Sequence, residues 1–306
     1  MKNAIFGYST PNVGDDVQAL AAALLLPSVD AYVNRDALDQ VRLSERHRVV
    51  MNSWFAVKRY RAVPSSSLSP IYHGFCVGRP ELLNDTWEAE WRSRGSIGCR
   101  DRYSVDTLRQ RGIAAHFTGC LTTFMGGFFE QPAKREGVVF VDVPEGVQHH
   151  IPRELQDRAE FVTAEIDKGL SQVERWYAAA KLLDRLRTAE MVVTRRLHAA
   201  LPCVGFKTPV TVYLENDIKN RRRFGGSDEI LPMIFHDGEE PIDNRPGWRT
   251  PEVCSASPEM EEHFQALTFG LGTNFGRRWT SVTQFVLSLP NADVHRSSLW
   301  SRLLTA

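Results

Sequence analysis

Short apolar runs that each stop at a turn and lead into a helix-like repeat most limit the folds open to this chain. Lys2 to Tyr8 is the first; it ends at Ser9-Thr10-Pro11-Asn12-Val13-Gly14, and Asp15 to Leu26 then shows helical spacing up to Pro27. Val29 to Val33 and Val49 to Met51 read as further short strands. Ser96 to Cys99 leads into a helix over Asp101 to Arg111 ended by Gly112, and Ala115 to Phe117 reads as the next strand. Val138 to Val143 is an almost unbroken apolar run, as expected of a strand covered on both faces. Ser171 and Glu174 have capping-box spacing, and Val173, Trp176, Tyr177, Ala180, Leu183 and Leu186 make the stripe of a helix that reaches Ala189. Met191 to Thr194 (strand), Leu197 to Gly205 (helix, with Pro202 inside) and Val210 to Leu214 (strand) complete the pattern. Such alternation predicts a parallel α/β architecture.

At 306 residues the chain is long enough for two domains, and the apolar pattern lapses over Glu130 to Gly137. The expected division is 1–130 and 131–306. Gly225 to Ser257 is rich in Gly, Pro and acids and reads mostly as loop. Pro258 to Phe269, Trp279 to Leu289 and Ser297 to Leu304 read as helices that pack back across both domains. Two α/β domains in sequence leave a cleft, and ligands of open α/β sheets sit beyond the carboxyl ends of the strands.

Thirty-seven Lys and Arg against 37 Asp and Glu leave no net charge to hold a polyanion, which argues against nucleic acid as a partner. The longest apolar run, Ala19 to Leu26, is too short to span a bilayer, and Met1 to Gly7 lacks a signal-peptide pattern. The expected location is therefore the cytoplasm. Cys76, Cys99, Cys120, Cys203 and Cys254 are scattered without a C-x-x-C pair and read as free thiols. His149-His150 lacks the spacing of a metal pair, and no metal is expected. Neither G-x-S-x-G, Walker A nor G-x-G-x-x-G occurs.

Four strand exits hold candidate chemistry. In Asn12-Val13-Gly14-Asp15-Asp16-Val17-Gln18, Gly14 permits close backbone approach and the helix start offers free N–H groups; a plain N-cap and turn is the alternative. Gly98-Cys99-Arg100-Asp101-Arg102 sets guanidiniums at a helix start, either for an anion or for pairing on a solvated surface. Thr194-Arg195-Arg196-Leu197-His198 runs from a buried strand into two guanidiniums and an imidazole, a combination suited to a dianionic phosphate. In the fourth, after Tyr213-Leu214, Lys219 is kept as a cation for the same pocket while Arg221 to Arg223 read as a solvated helix face. Trp54 is expected to pack or to border the cleft near His73.

These segments, in this order and together with Met51-Asn52-Ser53-Trp54-Phe55 and Gly119-Cys120-Leu121-Thr122, resemble the polysaccharide pyruvyltransferase family. The resemblance spans about residues 1–224, and Arg196-Leu197-His198 is its most specific element. It implies two Rossmann-like domains facing across a cleft, the GT-B-like arrangement, with the first on the acceptor side and the second holding the donor. The implied activity is transfer of a pyruvyl group from phosphoenolpyruvate to two hydroxyls of a glycan, as a ketal, in surface polysaccharide biosynthesis. By the same resemblance Arg196 and His198 sit at the donor with Arg100 as a second anion contact, and Asn12, Gly14 and Lys219 assist. The chemistry suits these residue types: His198 is the proton carrier, Arg196 its catalytic partner, and Asp15 an acceptor toward the sugar hydroxyl. No cofactor is implied beyond phosphoenolpyruvate as co-substrate. The acceptor would be a glycan or a lipid-linked saccharide met at the inner face of the membrane, with His295 to Arg302 either touching that surface or forming a packed helix. A GT-B-type glycosyltransferase using a nucleotide sugar and a non-catalytic glycan- or anion-binding module are the alternatives.

Overall fold

The computed structural model describes residues 1–55, 63–148, 151–237, 240–241 and 250–289. The amino-terminal half supplies strands β1 (Lys2–Gly7), β2 (Ala31–Asn34), β3 (His47–Val50), β4 (Ser53–Phe55), β5 (Leu68–Ile71), β6 (Phe75–Val77), β7 (Ile97–Cys99) and β8 (Ala115–Phe117). They form two parallel sheets, β2-β1-β3-β5 and β4-β6-β7-β8. Strand β3 runs on into β4 through Met51 and Asn52, and β5 into β6 through Tyr72 to Gly74, so the two ladders are joined strand to strand. Gly74 has φ +72° and lies against the Asn52 carboxamide where a Cβ would collide, which makes glycine the residue this joint requires. Helices α1 (Val13–Leu25), α2 (Asp85–Ser93) and α3 (Arg102–Arg109) connect the strands.

The second half builds β9 (Val138–Val141), β10 (Ala159–Val162), β11 (Met191–Thr194), β12 (Val210–Glu215), β13 (Met233–Asp237) and β14 (Glu240–Pro241) into one sheet ordered β10-β9-β11-β12-β13-β14. All its pairs are parallel except the last. Helices α4 (Glu145–Gln148), α5 (Arg153–Gln156), α6 (Gln172–Thr188), α7 (Leu197–Phe206), α8 (Ile218–Phe224), α9 (Pro258–Leu271) and α10 (Val282–Leu287) belong to this half of the sequence. The expected capping box is present: Ser171 accepts from the Glu174 N–H while Glu174 accepts from the Ser171 N–H at 2.8 Å. The protein is thus a parallel α/β fold, as the alternation predicted, and a cleft lies between loops of its two halves. One correction concerns β13, which lies in the stretch read as loop; its apolar core, Met233-Ile234-Phe235, is too short to show a period among the surrounding glycines and acids. The helix expected over Ser297 to Leu304, the segment His295 to Arg302 and the pair His149-His150 lie outside the described residues.

Helix α1 joins the halves. Its thirteen residues are all buried: the run from Ala19 to Leu25 is apolar all round and so needs cover on every side, and Asp15, Asp16 and Gln18 in the first turns have hydrogen-bond partners. It follows β1 yet shares the core with Trp176, Ala179 and Leu183 of α6 and Leu197, Ala200 and Leu201 of α7. Helix α9 returns in the other direction: Met260 enters the core of the first half, and the His263 ring lies 4.2 Å from that of His116. The five cysteines are free and buried.

Beneath that contact His73 is 4% exposed, and its Nε2 has no hydrogen-bond partner among the described residues. Burial, reinforced by His116 and His263, pushes its pKa down to about 3 from 6.5. The folded chain therefore binds fewer protons here than the unfolded chain. Stability is fully present above pH 6.5 and falls, by up to about 1.4 kcal/mol per pH unit, as the pH drops toward 3. Denaturant titrations of His73→Gln across this window are expected to show a flatter slope than the parent protein; an unchanged slope refutes the assignment.

Candidate active site

The sheet β2-β1-β3-β5 and the sheet of the second half each reverse their strand order once. In the sheet of the second half β10 and β11 leave β9 on opposite sides, so the segments after β9 and β11 diverge and open a crevice between them. Asp142 follows β9 with φ +52°, and Arg196 follows β11 as the N-cap of α7. The two meet across the crevice: Arg196 Nε donates to Asp142 Oδ2 at 2.6 Å and Arg196 Nη2 to Glu165 Oε1 at 2.9 Å. Although burial works against ionisation of Asp142, the Ala164 N–H and the Arg196 guanidinium hold its carboxyl below the usual range. In the first sheet the reversal lies between β2 and β3 around β1, and the chain leaving β1 caps α1 through Asn12, whose side chain accepts from Gly14 N–H at 3.1 Å.

A cleft of about 380 Å³ separates these two sets of loops. Thr10, Asn12, Asp15, Arg35, Trp54, Arg79 and Arg100 line it from the first half, Arg196, His198 and Arg223 from the second. Five guanidiniums and an imidazole thus face one lining carboxylate. Asn12, Asp15, Arg100, Arg196 and His198, distant in sequence, share this wall. Gly14 serves by being small: a Cβ there would lie 3.0 Å from His198 Cβ and 3.2 Å from His198 Nδ1, so glycine lets the N-termini of α1 and α7 approach each other.

A polar relay crosses the floor. Thr10 Oγ1 donates to Asp15 Oδ2 at 2.6 Å, Gln18 Nε2 donates to Asp15 Oδ1 at 3.3 Å, and Arg100 Nη1 donates to Gln18 Oε1 at 3.4 Å. Arg100 is 2% exposed, its Nε has no hydrogen-bond partner among the described residues, and the facing carboxylate of Asp101 is 4.0 Å away. His198 is 5% exposed, and neither ring nitrogen finds a partner among those residues. Burial first, then the charges of Arg100 and Arg223, drive its pKa well below 6.5, so the imidazole of the open cleft is neutral. The residue expected to carry the proton is therefore uncharged before a ligand binds. Burial, with Arg100 again adding, pushes the Arg223 guanidinium down to about 10. Buried donors and like charges without counter-ions are costly unless a ligand satisfies them.

The remaining expectations sort by geometry. Lys219 is exposed and lines the groove beside the cleft, not the cleft itself; Arg223, one helical turn further along α8, enters instead of pointing to solvent. Arg195 pairs with Glu215 at 3.2 Å, outside the cleft. Arg102 leaves the site to grip Glu229 and Glu259 at 3.0 and 2.9 Å over the Phe117 ring. Asp16 pairs with Arg175 at 2.7 Å. Among the described residues no group of three or more His, Cys, Asp or Glu is placed to hold a metal ion.

Arg100 Nε and the His198 ring, without partners among the described residues, thus lie beside Arg223 in one cleft, an arrangement chemically suited to an anion. Residues 79–217 match the polysaccharide pyruvyl transferase family model. The pyruvyl transferase match includes Arg100, Arg196 and His198 and leaves Asn12, Asp15, Trp54 and Arg223 outside it. No curated protein sequence matches the chain significantly. Among solved structures, the chain is similar to an uncharacterised protein from Klebsiella pneumoniae at 12% identity, covering 73% of this chain and 87% of that one with TM-score 0.42. UDP-GlcNAc 2-epimerase from Methanocaldococcus jannaschii matches at 10% identity over 88% of this chain and 100% of its own, TM-score 0.39. The heptosyltransferase of E. coli matches at 10% identity over 87% and 99%, TM-score 0.27.

Sequence reading overlooked Arg35 and Arg79. Arg35 stands directly after β2, where the strand-end rule points; it is held by Asp36 at 2.7 Å and by the Trp54 carbonyl at 3.0 Å. Arg79 follows β6, a three-residue strand too short to be recognised, so nothing marked its loop.

Proposed function

We propose that this cleft transfers a pyruvyl group from phosphoenolpyruvate to two hydroxyls of a saccharide, closing a cyclic ketal and releasing phosphate. The observation that carries the reading is the set of unsatisfied donors: Arg100 Nε and the His198 ring, buried beside Arg223 in a wall built from both halves. Phosphoenolpyruvate carries a phosphate and a carboxylate on one carbon. Fixed cations in a site with little water suit that doubly acidic head, because charge interactions there are stronger than in bulk. The family match over residues 79–217 supports a polysaccharide acceptor.

The residues divide the work as follows. The charge of the bound anion favours the imidazolium against the burial and the two cations that keep His198 neutral, and the ring takes up a proton. His198 passes that proton to C3 of the enol, C2 becomes cationic, and the first hydroxyl oxygen bonds to C2 as its proton moves to Asp15. The bond from C2 to the phosphate oxygen then breaks, the electron pair leaving with phosphate, which takes the proton from Asp15. The second hydroxyl closes the ring and returns a proton to His198. Arg196, braced by Asp142 and Glu165, fixes the mouth of α7 while Arg100 and Arg223 hold the anion. The acceptor is a glycan or lipid-linked saccharide reached in the cytoplasm at a membrane face; no described helix is long and apolar enough to cross a membrane.

Two measurements test this. Purified protein given phosphoenolpyruvate and a saccharide panel should release phosphate and yield a product heavier by one pyruvyl ketal; stabilisation by nucleoside diphosphates and not by phosphoenolpyruvate would overturn the reading. Calorimetry in two buffers of different ionisation enthalpy should show net proton uptake on binding, and affinity that weakens as the pH rises above the lowered pKa of the unliganded His198 ring. Binding without proton exchange removes His198 from the proposed role.

A further inference from the structure

We infer that the groove beside the cleft seats the acceptor by an anionic group attached to its sugar, so that the acceptor is an acidic saccharide. This rests on the pyruvyl-transfer reading and deepens it. The groove, of about 220 Å³, shares Trp54, Arg79 and Arg223 with the cleft, so a ligand can lie across both. Beyond the shared wall the groove presents Lys219 and Arg222 on one turn of α8 and Tyr103 on α3. The Arg222 guanidinium rests 5.0 Å above the Tyr103 ring, which holds the charge at a fixed place. Among the described residues Lys219, Arg222 and Arg79 have no carboxylate partner, so the rim is cationic.

Two features ask for a sugar as well as a charge. Asp101, 2% exposed, lines this groove; its Oδ1 accepts from the Ser104 N–H at 2.8 Å and its enclosed Oδ2 has only the Cys76 thiol beside it, so the carboxylate keeps acceptor capacity that a sugar hydroxyl pressing into the lining can use. The charge of Asp101 is already opposed by Arg100 at 4.0 Å, so it does not neutralise the rim. Trp54 is 37% exposed at the boundary of cleft and groove and offers a flat apolar face of the kind on which pyranose rings stack. Gly78 lies against its indole where a Cβ would collide, so the ring's position depends on that glycine. An uncharged acceptor would use Trp54 and Asp101 and leave three cations unanswered; a phosphate ester or a uronate answers them.

The test titrates the full chain, its cleft first saturated with phosphoenolpyruvate, with glucose, glucose 1-phosphate, glucuronic acid and inorganic phosphate. At least one acidic hexose should bind about tenfold more tightly than both glucose and inorganic phosphate. The better of the two tells whether a phosphate ester or a carboxylate is the natural group. The variant Lys219→Ala/Arg222→Ala should lose about that factor toward the acidic hexose while keeping its affinity for phosphoenolpyruvate. Glucose binding as well as the acidic hexoses, inorganic phosphate binding as well as they do, or a double variant without effect overturns the inference. Phosphoenolpyruvate that binds normally in those cases leaves the pyruvyl-transfer reading standing, whereas its failure to bind removes both.

Discussion

Exchanging His198 for alanine should lower turnover with phosphoenolpyruvate and acceptor by about 10²- to 10⁴-fold, the range that one positioned acid/base group supplies. The expectation follows from placement: His198 lies in the first turn of α7, it is the imidazole lining the cleft, and both its nitrogens await partners. Glutamine, which can keep hydrogen bonds but cannot carry the proton, should fall in the same range. Stability should hardly change, because the site opens to the cleft and the lost ring nitrogens were unsatisfied in the fold. Turnover and phosphoenolpyruvate affinity are measured separately, by phosphate release and by calorimetry. A loss confined to affinity would make His198 an anion contact alone, and full turnover in His198→Gln would remove it from the chemistry. Arg100→Met is expected to behave oppositely, weakening donor binding before it slows the bound complex, since in the proposed reading its guanidinium holds the anion from the start.

The pattern of strand and helix carried the fold because each element's apolar period is local, and β1, β8 and β11 fall within about a residue of where the sequence put them. The interrupted strands did not show themselves. Leu68–Ile71 contains Pro70, and Phe75–Val77 offers too few residues for any period, so the joints at Asn52 and Gly74 were invisible although they place Trp54 and Arg79 at the cleft. In the site, residues that directly follow a recognised strand were legible: Asn12, Asp15, Arg100, Arg196 and His198 reach one wall because parallel strands deliver their carboxyl ends to one side. Helix α8 was misread for a different reason. Lys219 and Arg223 lie one turn apart on the same face, and only the place of the cleft decides which of them lines it. The neutral state of His198 was equally beyond sequence, since it arises from burial and from the charges of Arg100 and Arg223, two positions far from it along the chain.

Removing Arg175 should destabilise the protein by about 3–5 kcal/mol, the usual cost of stranding one member of a buried ion pair. Asp16 on α1 is 0% exposed and Arg175 on α6 is 1% exposed; Arg175 donates to it from Nη2 at 2.7 Å and from Nε at 3.3 Å, and Gln172 adds a donor at 2.8 Å. Burial already pushes the Asp16 carboxyl up to about 6 from 3.8, against the opposing pull of Arg175. A folded-state value above the unfolded one means that the group's contribution to stability is greatest below 3.8 and is lost as the pH rises through 6. Without Arg175 the carboxyl climbs further, so the penalty of Arg175→Ala should be larger at about pH 8 than at about pH 5, where Asp16 can fold protonated. Asp16→Asn/Arg175→Met, which leaves no unpaired charge, should recover much of the loss. Because this pair fastens α1 to α6 across the two halves, Arg175→Ala should also lower turnover at temperatures where the chain is still folded, by loosening the wall on which Asp15 and His198 meet. Equal penalties at both pH values, or a double variant no better than the single one, would show that the pair is not what holds the halves together.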